Sequence, residues 1–153
     1  MKSTNKLAAL ILIFSALILI PGFVFAGGGI DWNSHDQGLA RAKQEKKKVL
    51  IYIHSDSCGY CTKMEKTSFV DKKNIAYINK AFVPVHIDMG KERIAGKYNP
   101  RGVVPYFLFL DEKGKTITYH PGYLKPDMFL KVTKFIGSDS YKKMAFKDFM
   151  KGE

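Results

Sequence analysis

The chain's two cysteines stand three positions apart, as Cys58-Gly59-Tyr60-Cys61, a few residues after an apolar run. That run, Val49 to His54 (Val-Leu-Ile-Tyr-Ile-His), reads as a buried strand. Ser55 to Cys58 reads as a tight turn, and a helix follows from about Cys58 to Phe69. A cysteine at a helix start meets unpaired N–H groups and the positive end of the helix dipole, both of which favour its thiolate. A thiolate is the species that attacks another molecule's disulfide. Cys61, one turn deeper, is expected to be more buried and able to resolve the mixed disulfide by attacking Cys58. An inert staple competes with this reading, but so small a ring removes little chain entropy. Half of a zinc site also competes, but it lacks a second ligand pair. The four histidines (His35, His54, His86 and His120) are scattered without metal-ligand spacing, and His54 reads as a strand-end residue. The expectation is therefore a redox disulfide with no metal and no cofactor.

The N-terminus has the layout of a secretory signal. Lys2 and Lys6 are followed by Leu7 to Ile20, in which Ser15 alone is polar. Pro21-Gly22 then breaks the run, and Val24 and Ala26 place small residues where a signal peptidase reads. Residues 1–26 are expected to be a cleaved signal peptide, with an uncleaved membrane anchor as the alternative. Removing them would leave 127 of the 153 residues, with 23 basic residues against 14 acidic ones, a net charge of +9. The remainder would sit outside the cytoplasm, where disulfides persist; a periplasmic location is the expectation. Export argues against nucleic acid as the partner of the basic charge, and the lysines are spread along the chain. Hydrophobic residues at 46% and charged residues at 25% fit one globular domain and argue against disorder.

Residues 27–31, opening Gly27-Gly28-Gly29, read as a flexible leader, and residues 32–150 as one domain. Ser34 can cap a helix running to about Lys47, with Leu39 and Ala42 on its apolar side. Asp71 can cap a helix containing Ile75, Ala76 and Ile78. Phe82 to Asp88 reads as a second strand, Lys91 to Tyr98 as a short helix, and Tyr106 to Leu110 as a third strand. Asp111 to Lys115 reads as a hairpin turn into Thr116 to His120. Pro126 opens a helix through Ile136, and an amphipathic helix is expected from Ser138 to about Met150. This order predicts an α/β sandwich: a central mixed sheet flanked by helices, with an N-terminal helix and a C-terminal helical extension.

The strand–Cys-x-x-Cys–helix unit, Val104-Pro105 before the third strand and Gly114 in the hairpin together resemble the thioredoxin family. The stretch Ser55 to Phe69 is more particular. With Trp32, Asp88 and Gly122-Tyr123, it is similar to periplasmic thioredoxin-like proteins and the C-terminal domain of the disulfide reductase DsbD. The resemblance implies a thioredoxin fold and thiol–disulfide exchange. It implies a cis Pro105, with the Val104 backbone pairing with the substrate strand. Gly59 and Tyr60 would face partners between the cysteines. Two positions depart from the family: Ser57 stands where a Trp usually precedes the first Cys, and Tyr52 where many members carry a buried acid. Glu65, four residues after Cys61 and on the same helix face, is the substitute proton acceptor; a solvated, lysine-paired Glu65 competes equally. The implied role is a monomeric reductase of disulfides in periplasmic client proteins, fed by a membrane disulfide reductase. A disulfide isomerase or oxidase of the same fold, or a non-catalytic binding module, are the alternatives. The Gly-Tyr pair also occurs in isomerases, whose extra dimerisation domain this chain has no room for before its first strand.

Overall fold

The computed structural model describes residues 28–152. The proposed signal segment lies outside the described residues, as does Gly27. The elements run α1 (His35–Glu45), β1 (Lys48–His54), α2 (Gly59–Lys66), α3 (Lys72–Ala81), β2 (Phe82–Asp88), α4 (Ile94–Tyr98), β3 (Tyr106–Leu110), β4 (Thr116–Pro121), α5 (Pro126–Gly137) and α6 (Phe146–Phe149), with a 3-10 turn at Ser140–Lys142. The sheet order is β2-β1-β3-β4. β1 and β2 are parallel, with Tyr52 opposite His86 and His54 opposite Asp88. β1–β3 and β3–β4 are antiparallel, so the sheet is mixed as expected.

Side-chain alternation divides the core into two layers. Leu50, Tyr52, Phe82, Phe107 and Phe109 face Met64, Ile78, Phe129 and Ile136 of α2, α3 and α5. Val49, Ile51, Ile53, Val83, Val85, Ile87, Leu108 and Leu110 face the other way, towards Ala42 of α1 and Ala95 of α4. A strand buried on both faces carries apolar residues at successive positions, which is why β1 and β3 read as continuous runs. Among the described residues, no helix is long and apolar enough to cross a membrane.

Several expected bounds shift. Asp71 caps α3 as anticipated, accepting from the Lys73 and Asn74 amides. Ser34 stands before α1 but makes no side-chain cap bond. α2 ends at Lys66 rather than Phe69: the Thr67 hydroxyl turns back to the Lys63 carbonyl, and Ser68 donates to the Leu124 carbonyl. This unwinding lets Phe69 enter the core. The expected helix from Ser138 to Met150 is not continuous. Asp139 takes a left-handed conformation (φ 62°), and its carboxylate holds Lys48 and Lys142, leaving a 3-10 turn and the four-residue α6. The leader is also shorter than its glycines suggest. Ile30 is buried, and Asn79 bonds the backbone on either side of it, at Gly29 and Asp31.

Candidate functional site

The site gathers at the carboxyl ends of β1 and β2, where β1 feeds α2. Cys58 occupies the N-cap of α2, and its sulfur accepts from the Cys61 amide at 3.1 Å. The same amide also reaches the Cys58 backbone carbonyl at 3.0 Å. Cys58 and Cys61 are joined as a disulfide, with Cα atoms 5.2 Å apart. The asymmetry expected between them is present: Cys61 is 1% exposed, and Cys58 is half-buried. Gly59 is exposed and Tyr60 is 63% exposed, leaning towards Tyr123 with ring centroids 6.2 Å apart.

Opposite the pair lies the loop before β3. The Val104–Pro105 peptide is cis. Cys58 Sγ is 3.6 Å from the Val104 carbonyl oxygen, so the disulfide and this loop face each other. Pro105 is buried and Val104 half-buried. The Gly122 amide donates to the Pro105 carbonyl at 2.7 Å, tying the end of β4 to the same loop; Gly122 meets this with φ 96°, a region that favours glycine. Tyr123 follows, held by Thr67 at 3.3 Å and covered by the Lys63 ammonium 4.8 Å from its ring.

Beneath α2, Tyr52 fills the position where many members of the resembled family place an acid. Its ring is fully buried, 5.7 Å from Trp32, 4.8 Å from Phe69 and 5.4 Å from Phe107. Its hydroxyl donates to Glu65 Oε1 at 3.4 Å. Burial, then the charge and hydrogen bond of Glu65, push the Tyr52 phenol well above its ordinary value, so it remains a neutral donor. Glu65 itself is exposed, as the solvated alternative expects, and among the described residues its hydrogen-bond partner is Tyr52.

The spacing of the histidines concealed one feature. The parallel register places His86 opposite Tyr52 and His54 just beyond it, on the same face of the sheet. The two imidazoles stack 4.1 Å apart, within 10° of parallel. Burial lowers His86 to about 4, His54 adding to the effect while Asp88 and Asp56 oppose it. Further out, the Lys91 ammonium bridges Asp56 at 2.9 Å and Asp88 at 2.7 Å. This bond, with one from the Gly90 amide, holds Asp88 below the usual carboxylate range. The alternation of β2 could have revealed that His86 shares a face with Tyr52, but only once the pairing partner was known. A separate cavity of about 480 Å³ lies by Tyr98, Arg101, Tyr106 and Tyr119. Tyr106 belongs to the core layer facing away from Tyr52, and Val103 and Tyr106 of the lining flank the cis-proline loop in sequence.

A family model described as a thioredoxin-like domain matches residues 35–137. Among solved structures, the chain is similar to a thioredoxin from Thermus thermophilus, with TM-score 0.63 and 24% identity over 70% of this chain and 86% of that one. It is similar to a candidate disulphide isomerase from Bacteroides thetaiotaomicron, with TM-score 0.60 and 28% identity over 74% and 95%. It is also similar to the oxidised DsbD C-terminal domain of Neisseria meningitidis, with TM-score 0.54 and 16% identity over 65% and 90%.

Proposed function

This chain belongs to the thioredoxin-like family, and from that premise we propose that it reduces disulfides in exported client proteins through the Cys58–Cys61 pair. The observation that carries the reading is the placement of Cys58: at the cap of α2, half-buried beside the cis-proline loop, over a resolving sulfur that solvent barely touches. In the reduced form the Cys58 thiolate attacks a client disulfide. One client thiolate leaves, and a Cys58–client disulfide forms. The Cys61 thiolate then attacks Cys58, the second client thiolate leaves, and the pair ends as the disulfide seen here. Two electrons have passed to the client, and a dithiol donor, proposed to be a membrane disulfide reductase, restores the pair.

Val104 and Pro105 form the ledge against which the client's chain lies, and Gly59 and Tyr60 are the partner-facing surface between the cysteines. Glu65 takes the Cys61 proton, its carboxylate oriented by the Tyr52 hydroxyl. The apolar N-terminal run supports secretion to the periplasm, and the monomer is the proposed working form.

Insulin-disulfide reduction with cysteine variants tests the chemistry. Cys58→Ser should abolish turnover, and Cys61→Ala should accumulate mixed disulfides; Glu65→Gln should slow the resolving step most at low pH. Full turnover by Cys58→Ser would overturn the reading. The direction of electron flow rests on the potential of the pair: about −270 mV supports a reductase, whereas about −120 to −180 mV would mark an oxidant or isomerase.

A further inference from the structure

We propose that His54, His86 and Glu65 form a binding site for a divalent transition metal ion such as zinc at the base of the redox helix. One ligand atom from each residue lies within 4.8 Å of the other two. Two imidazole nitrogens and a carboxylate oxygen are a donor set that suits zinc and its borderline neighbours. The three residues come from β1, β2 and α2, so the fold converges them at the strands' carboxyl ends.

A second observation points to a ligand. His54 is only 7% exposed, yet neither its imidazole nor that of His86 has a hydrogen-bond partner among the described residues. Both rings pack against other rings: His54 against Tyr52 and His86, and His86 also against Tyr52 and Trp32. The ring nitrogens are not among the fully buried orphan atoms, so an ion could reach them from solvent and would supply the partner that the protein does not. His54 also lies within reach of Asp56 and Asp88. Those two carboxylates already share the Lys91 ammonium, which leaves the histidine–glutamate triad as the available set.

Binding requires a small rearrangement. Tetrahedral zinc with bonds of about 2.0–2.1 Å separates its ligand atoms by about 3.3 Å, so the triad must close by no more than about 1.5 Å. The stacked rings direct their in-plane lone pairs side by side rather than to one point. His86, the more exposed ring, can turn about its broad χ2 well to make them converge. The Tyr52 hydroxyl, already bonded to Glu65, would orient the carboxylate as an outer partner.

The test is zinc titration of the full chain in its oxidised form, against a chromophoric chelator. With both sulfurs in the disulfide, thiolates cannot be the ligands, and the readout does not depend on disulfide reduction. One zinc per chain is expected. His86→Asn and Glu65→Gln should each weaken binding by more than about tenfold, the least that loss of even an outer partner costs. Both positions tolerate change better than buried His54. His35→Asn should leave binding unchanged. Absence of zinc uptake by the oxidised chain, uptake confined to the reduced chain, or uptake indifferent to His86→Asn would each overturn the proposal.

Discussion

Burial of a single imidazole makes stability depend on pH. His120, half-buried on β4, is held below its ordinary value by burial alone. In the unfolded chain it titrates near about 6.5, so just below that pH the unfolded state binds more protons than the folded one. The stabilisation is therefore fully present above about 6.5 and is lost as pH falls towards the folded value. His86 acts in the same direction, down to about 4. The urea midpoint of the oxidised protein should be lower at pH 5 than at pH 7, and His120→Gln should narrow the gap. An unchanged gap would place the titration elsewhere. What was legible at this scale follows the same division between local and long-range contacts. The Cys58–Cys61 pairing at a helix start could be read from one strand, one turn and one helix, and the place of Glu65 on that helix from its spacing. The His54–His86 stack could not, because it depends on the parallel register of two strands separated along the chain.

Helix α1 shows where an element's sequence answers to its neighbour. Gly38 lies mid-helix, where glycine costs about 1 kcal/mol relative to alanine. A Cβ at Gly38 would collide with a methyl of Val85, which is fully buried on β2. The close approach of α1 to the sheet needs the missing side chain. Gly38→Ala should therefore destabilise by roughly 1–2 kcal/mol net, overpacking outweighing the propensity gain. Adding Val85→Ala should remove most of the penalty specific to Gly38→Ala, and a double-mutant cycle by urea denaturation with no coupling would sink the explanation. Elements fixed by local signals were legible: β2 and β3 fall where apolar runs place them, and Asp71 caps α3. The C-terminal helix was not. The apolar spacing of Tyr141, Met144 and Phe149 is helical, but the left-handed Asp139 and its bond to Lys48 arise from tertiary contacts that periodicity does not carry.

Across the whole molecule, the disulfide and the C-terminal segment attach to opposite ends of β1. Lys48 begins the strand and binds Asp139 and the Gly137 carbonyl; the strand's other end leads to Cys58. Phe146 and Phe149 pack on Phe135 at 5.2 and 5.3 Å, all three half-buried. Ending the chain after Gly137 should lower Tm by roughly 5 °C, the effect of about 1–2 kcal/mol of lost apolar burial. The initial rate of disulfide reduction, measured below that Tm, should not change; a matching loss of rate would mean that the segment reaches the site. Trp32 has its own consequence. It is the chain's one tryptophan, and its indole lies against Tyr52, Phe69 and His86. Its fluorescence is therefore a single-point optical probe of the rings beneath the reactive helix, available without labelling.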